Sequence, residues 1–262
     1  MRFPTKYTSG CRSIDDLLGG GFESGTITQL YGEAGSGKTN ICIQTAVECA
    51  KSGKTVIFLD CEGFSPERFF QIASSRGEIE EIAKRILIFE AHNFEQQEKC
   101  IAEIERFIAE KGKKEQVNGK KEQANDEWGE ESRDSKGESE GEGDVALVIL
   151  DSATVFYRLE PNEERSMQMR RRLANQILHL LELARRHDIA VIITNQVYMD
   201  IENGKLRASG GLALEHLSKI IVQLEKMGES RRRAILKKHR SMPEGLSCEF
   251  IITERGVEDG IK

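Results

Sequence analysis

Residues 32–39 read Gly32-Glu33-Ala34-Gly35-Ser36-Gly37-Lys38-Thr39, and no other stretch narrows the possible folds as much. The run Thr26-Ile27-Thr28-Gln29-Leu30-Tyr31 before it reads as a strand, and Asn40 to Ala50 after it reads as a helix. Glycines at these positions let the backbone curl so that its N–H groups point inward at phosphate oxygens. The helix that starts there adds the positive end of its dipole. Lys38 reaches toward β- and γ-phosphates, and the Thr39 hydroxyl is placed to ligate Mg²⁺. A plain glycine-rich turn is the alternative, but it leaves the flanking strand and helix without a reason. The pattern predicts a site for a nucleoside triphosphate, in which Gly32 to Thr39 cradle the phosphates.

The chain has 262 residues, enough for one large domain or two small ones. Its net charge is −6, but residues 111–144 carry seven Lys/Arg against eleven Asp/Glu, so the remainder is close to neutral. Whole-chain charge therefore neither demands nor excludes a nucleic-acid partner, and local patches must decide. Six cysteines, Cys11, Cys42, Cys49, Cys61, Cys100 and Cys248, form no C-x-x-C pair and have no histidine at metal-ligand spacing. They read as small core hydrophobes of a reducing compartment. No apolar run approaches membrane-spanning length, so a cytoplasmic protein without a membrane partner is expected.

Along the chain, Ser13 can cap a short helix through Leu18, which Gly19-Gly20-Gly21 stops. Strands are expected at Thr55–Leu59, Ile86–Phe89, Val145–Leu150 and Ile189–Thr194, alternating with helices that start at Pro66, Phe94 and Glu164. This alternation predicts an α/β fold with a mostly parallel central sheet flanked by helices. Lys219–Leu224, Ala234–Lys238 and Cys248–Thr253 read as further strands of an antiparallel C-terminal edge. Lys111 to Asp144 is nearly devoid of apolar residues, apart from Val117, Ala124 and Trp128. It reads as a disordered insertion in a surface loop of a single domain spanning residues 1–262, because too little surface can be buried to offset its ordering entropy.

Triphosphate chemistry needs a metal, a group that activates water and a group that senses the terminal phosphate. Asp151, at the end of a buried strand, suits an Mg²⁺ role beside Thr39, acting through water; a loop cap is the alternative. Glu62 lies just past the strand that ends at Asp60, where open α/β sheets gather their ligands, and is a candidate general base. A surface carboxylate is its alternative. Gln196 follows Thr194-Asn195 at another strand tip, a weak signal for a phosphate sensor because many strands end in amides. Two basic features could meet nucleic acid. One is Tyr157-Arg158 with Arg165, Arg170, Arg171 and Arg172. The other is Arg231-Arg232-Arg233 with Lys237-Lys238-His239-Arg240. Solvated charge is the alternative for both.

Taken together, these residues resemble the RecA-superfamily recombinases of archaea and eukaryotes. The likeness is carried by residues 13–21, Asp60-Cys61-Glu62-Gly63 with Pro66-Glu67-Arg68, and Asp151-Ser152-Ala153-Thr154 with Tyr157-Arg158. Ile193-Thr194-Asn195-Gln196-Val197 and Gly210-Gly211 with His216 complete it. It spans nearly everything outside residues 111–144. The resemblance implies a RecA-like P-loop ATPase core that binds ATP with Mg²⁺ and acts on DNA in repair and recombination. It implies that Glu62 is the catalytic glutamate, assisted by Lys38. It implies that Arg68 stacks on adenine, and that Gln196 with His216 couples the γ-phosphate to a DNA-binding loop. Arg158, Arg165, Lys237, Lys238, His239 and Arg240 would contact DNA. The chain starts almost at the ATPase core, Phe3-Pro4-Thr5-Lys6 does not fit the family's F-x-x-A polymerisation motif, and the loop Tyr198–Ser209 is short and polar. These departures argue against strand exchange. They favour a weak ATPase that assists the main recombinase RadA and regulates a Holliday-junction nuclease. The competing reading is a DNA-independent RecA-fold signalling ATPase.

Overall fold

Short, almost wholly buried aliphatic runs alternate with amphipathic helices, and the runs pair mainly in parallel. The computed structural model describes residues 3–125, 144–158, 163–200 and 205–260, without side chains at 112–125, 157, 158, 163, 198–200 and 205–207. In chain order the elements begin β1 (Lys6–Tyr7), α1 (Arg12–Leu17), β2 (Phe22–Glu23), β3 (Thr26–Gly32) and α2 (Lys38–Lys51). They continue β4 (Thr55–Asp60), α3 (Pro66–Ser74), α4 (Ile79–Ala83), β5 (Ile86–Glu90) and α5 (Phe94–Asn125). Next come β6 (Val145–Asp151), α6 (Val155–Arg158), α7 (Glu163–His187), β7 (Ala190–Asn195), β8 (Val197–Asp200) and β9 (Lys205–Ala208). The chain closes with α8 (Gly211–Leu217), β10 (Ile220–Lys226), β11 (Arg231–Lys238), β12 (Ser247–Thr253) and β13 (Gly256–Asp259).

Among the described residues, nine strands form one sheet in the order β13-β12-β11-β10-β3-β7-β6-β4-β5. From β10 to β5 every neighbour is parallel, while β10–β11, β11–β12 and β12–β13 are antiparallel. The inner parallel strands β3, β7, β6 and β4 are buried on both faces, as interior strands of parallel sheets require, while the edge strand β5 is partly exposed. One face packs with α1, α2 and α3 around Leu30, Ile41, Phe58, Ile72 and Phe250. The other packs with α5 and α7 around Ile27, Leu59, Ile104, Leu173 and Leu180. No helix among the described residues is long and apolar enough to cross a membrane.

Three local expectations change. Helix α1 starts at Arg12 with Cys11 as its cap residue, not Ser13. Its amino end is closed instead by a distant carboxylate, since Asp259 Oδ1 accepts the Ser13 N–H at 2.7 Å. Helix α5 runs on to Asn125, past Glu110 and into the charged segment expected to be disordered. Once a helix is nucleated by a packed apolar stripe, each added Lys, Glu, Gln or Ala extends it at little cost. Trp128 and residues 126–143 lie outside the described residues. The polar loop after β7 is a hairpin, β8–β9, followed by α8. Strand β13 was not foreseen, because Gly256-Val257-Glu258-Asp259 has only one apolar residue and gains its place by pairing with β12.

The α2 helix and the C-terminal edge are stitched together by Gln44, which is fully buried. Its Nε2 donates to Val257 O at 2.9 Å, and its Oε1 accepts the Val257 N–H at 2.7 Å. Gln44→Leu keeps the volume but strands both backbone groups of Val257. It should lower unfolding free energy by about 2 kcal/mol, read as a lower urea midpoint at unchanged slope.

Candidate nucleotide-binding site

Four parallel strands, β3, β7, β6 and β4, end at one edge of the sheet, and the loops that follow them converge there. After β3 the chain turns through residues 33–37 into α2. Gly35 and Gly37 adopt left-handed backbone, φ 73° and 102°, which side-chain-bearing residues resist. Gly32 needs the absence of a side chain for a different reason. A methyl group there would lie 2.3 Å from Leu224 O and 2.7 Å from Ser36 Oγ. Behind the loop, Gly37 rests on Phe250 and Ile252 of β12.

Lys38 is the first residue of α2 and is 7 % exposed. Its Nζ donates to Gly32 O at 2.9 Å and Glu33 O at 3.0 Å, so the ammonium closes the loop on itself. Burial lowers the Lys38 pKa, and the nearby charges of Asp151 and Glu62 act against that shift. Asp151 is 3 % exposed at the end of β6. Burial raises its pKa, while hydroxyl donors from Thr194 and Thr39 work in the opposite direction. The structure thus brings together Thr39 and Asp151, the pair expected around Mg²⁺.

Glu62 lies just beyond β4, in a loop organised by Asp60. The Asp60 carboxylate accepts the backbone N–H groups of Glu62, Gly63 and Phe64 at 3.2, 2.9 and 2.6 Å. Glu62 Oε1 then accepts from Ser152 Oγ at 2.5 Å and from Gln196 Nε2 at 3.0 Å. The expected base and the expected sensor are therefore directly bonded. Ser152, fully buried and joined to Asp151 by a cis peptide, is a member of this site that sequence reasoning passed over.

Arg68, in the first turn of α3, is held from three sides. Its Nε donates to Asn40 Oδ1 at 2.6 Å, and its amino groups reach Gln71, Thr253 O and Glu254 O at 2.8, 2.8 and 3.0 Å. It therefore stands beside the first turn of α2, next to the turn that joins β12 to β13.

The basic C-terminal segment separates into distinct parts. Arg232 is 8 % exposed, and its Nε donates to Gly35 O at 2.9 Å, tying the phosphate loop to β11. Arg231 and Arg233 both pair with Glu249 of β12. Lys238 Nζ donates to Glu215 O and Ser218 O at 2.6 and 2.9 Å. Arg240 pairs at 2.8 Å with Glu23, a buried carboxylate that also faces Lys6. His239 Nδ1 accepts the backbone N–H groups of Ser241 and Met242, and burial lowers its pKa. Lys237 is exposed. Lys237 and Lys238 share a cavity of about 440 Å³ with His216, Tyr31, Glu215 and Glu244, close to the base of the β8–β9 hairpin. His216 is exposed on α8, with no hydrogen bond to Gln196 among the described residues. Of the first basic feature, Arg165 is exposed on α7, Arg172 pairs with Glu95 and Glu98 of α5, and the Arg158 side chain lies outside the described residues.

The residues fit a magnesium-bound triphosphate. The loop has room for backbone N–H groups to face an anion only because glycines stand at its tight points. Ser36 Oγ is buried without a partner, and a buried carboxylate stands with a threonine hydroxyl at the loop's end. Among the described residues no group of three or more His, Cys, Asp or Glu could hold a metal unaided. Mg²⁺ takes one or two protein oxygens and completes its shell with phosphate and water, and the Asp151 carboxylate with the Thr39 hydroxyl offers oxygens of that kind.

A model of the Rad51 family matches residues 5–114 and 127–260, leaving a gap inside the charged insertion. The chain is 48% identical over 250 residues to the DNA repair and recombination protein RadB of Methanococcoides burtonii, covering 95% of this chain and 96% of that one. It is 41% identical to the protein of the same name from Methanoculleus marisnigri, covering 96% and 97%. A crystal structure of the RadB recombinase superposes with a TM-score of 0.73 at 35% identity, covering 97% of this chain and all of the other. The chain belongs to the Rad51 family and, within it, to the RadB group.

Proposed function

We propose that the chain is an ATP- and DNA-binding protein of DNA repair and homologous recombination, a weak Mg²⁺-dependent ATPase that works beside the main recombinase RadA rather than exchanging strands itself. Regulation of a Holliday-junction nuclease acting on branched DNA belongs to the same reading. The observation that carries the proposal is the bond from Gln196 to Glu62. It links the water-activating carboxylate of the nucleotide crevice to the residue that leads directly into the β8–β9 hairpin. The names of the relatives, which are DNA repair and recombination proteins, support the DNA half of the reading.

In this reading Gly32 to Thr39 hold the phosphates, Thr39 and Asp151 hold Mg²⁺, and Arg68 lies against the base. Mg²⁺ held there would neutralise charge on the phosphate chain. Glu62 takes the proton from water, and Ser152 and Gln196 fix the orientation of its carboxylate. When Glu62 releases Gln196, the amide is placed to report the change to the hairpin. DNA would run past Arg158, Arg165 and the cavity that holds His216, Lys237 and Lys238.

A DNA-independent signalling ATPase remains the competing reading, favoured by the internal engagement of Lys238, His239 and Arg240. Fluorescence anisotropy with labelled DNA across a salt series, with and without Mg²⁺-ATP, separates the two. Salt-sensitive binding that changes with ATP is the expected result. No binding at low salt would transfer the protein to the signalling reading.

Lys38→Ala should abolish ATP binding in isothermal titration, and retained affinity would remove the site assignment. Glu62→Gln should keep ATP affinity while slowing phosphate release by about 10²-fold, measured as steady-state hydrolysis. The basic segment should divide by role. Lys237→Ala should reduce the slope of log affinity against log salt by about 1, because one phosphate contact is lost. Arg240→Ala should leave that slope alone and instead lower stability by about 1 kcal/mol, because Glu23 loses a partner.

A further inference from the structure

Strand β10 runs two residues beyond the end of β3. Leu224 stands opposite Gly32, the last residue of β3, so Lys226 overhangs the phosphate loop. Side chains alternate along a strand, which places Lys226 on the same face as Val222 and Leu224. Those two pack into the core together with Ile41 and Cys42 of α2. Lys226 is therefore aimed at the side on which the loop turns into the helix. A methyl group on Gly35 would lie 3.2 Å from both Cε and Nζ of Lys226, so the ammonium sits on the loop's apex.

The partners of Lys226 make the placement informative. It makes no ion pair or hydrogen bond among the described residues. Its cross-strand neighbour Arg232 binds the carbonyl of Gly35, the same residue that Lys226 touches. The Lys226 charge also acts on Lys38, further lowering that residue's pKa. Two ammonium groups at one small loop repel each other when the loop is empty, and a polyanion between them reverses the sign of that interaction. Arg232 spends its donors on carbonyls, whereas Lys226 keeps its own for a ligand.

We infer that Lys226 is a second phosphate-binding lysine of the nucleotide site, one that contributes in proportion to the negative charge on the phosphate chain. The inference rests on the ATP-site reading above. Lys38 grips the loop from its helical side and Lys226 closes it from the β10 side. Discrimination between triphosphate and diphosphate then depends on a strand some 190 residues after the P-loop, which no local motif would reveal.

The test is isothermal titration of ATP, ADP and AMP into the wild type, Lys226→Ala, Lys226→Arg and Lys38→Ala at fixed Mg²⁺ and salt. Lys226→Ala should bind ATP about tenfold more weakly, ADP less affected and AMP unchanged, the loss expected for one charge-assisted contact. Lys226→Arg should retain most of the affinity. Nucleotide-free melting temperatures should match the wild type, since Lys226 is exposed. Unchanged ATP affinity in Lys226→Ala, with binding lost in Lys38→Ala, would overturn the Lys226 assignment and leave the site intact. An equal loss for AMP and ATP would also overturn it, as a sign of general damage. A wild type that binds no ATP would bring down both readings.

Discussion

Asp151 loses nearly all of its hydration at the end of β6, and the crevice is arranged to offset that loss. A carboxylate so placed is tolerable only if hydroxyls and cations replace its water. Thr194 supplies one hydroxyl from β7, Thr39 supplies another from α2, and the Lys38 ammonium supplies nearby charge. They come from β7 and from the first turn of α2, so the ends of β6 and β7 and the start of α2 cannot separate without exposing the cost. Two backbone bonds reinforce the arrangement. Cys61 N donates to Asp151 O, and Ala153 N donates to Thr194 O, at 2.7 and 3.0 Å. The result is a rigid floor on which the more exposed groups, Glu62 and Gln196, are mounted.

Much of this was legible in the chain because it is local. The phosphate loop announces itself through eight consecutive residues and their flanking periodicity. Asp151, Glu62 and Gln196 could be placed because each follows a buried run, and the ends of parallel strands converge by topology. What stayed hidden depends on partners distant in sequence. Nothing near Ser13 indicates that Asp259 closes its helix. Nothing in Arg231-Arg232-Arg233 distinguishes the middle guanidinium, which is buried against Gly35, from its neighbours, which clasp Glu249. The same applies to Lys237-Lys238-His239-Arg240. As a string it is a uniform basic patch, but in three dimensions Lys238 binds the carbonyls below α8 and Arg240 neutralises Glu23. Charge runs on strands must be read by face and by cross-strand partner, and sequence alone supplies only the face.

The antiparallel edge appended to the parallel sheet does more than extend it. Leu224 O fills the space that a side chain at Gly32 would need, Phe250 and Ile252 support Gly37, and Arg232 holds Gly35. Three of the four strands β10 to β13 thus touch the phosphate loop, and the fourth, β13, holds α2 through Gln44. The loop is therefore set from behind before any ligand arrives. Preorganisation of this kind means that little of a ligand's binding free energy is lost to ordering the loop.

Two physical routes join the crevice to the region around the β8–β9 hairpin, and they differ in what they can transmit. Strand β11 carries Arg232 at one end and Lys238 at the other, so it spans the distance from the phosphate loop to α8. It pairs with β10 from Arg232 to Lys238, with one irregularity near Ile221, and with β12 from Arg231 to Ile235. A rod of this kind sets spacing and does not switch. The Gln196–Glu62 bond is different. It joins an amide to a carboxylate whose other partner is Ser152, and rotation about one side-chain bond breaks it without disturbing the sheet. Coupling requires an element with two discrete states that both sites can bias. The proposed sensor role of Gln196 rests on this difference between one side-chain hydrogen bond and a strand paired on both sides.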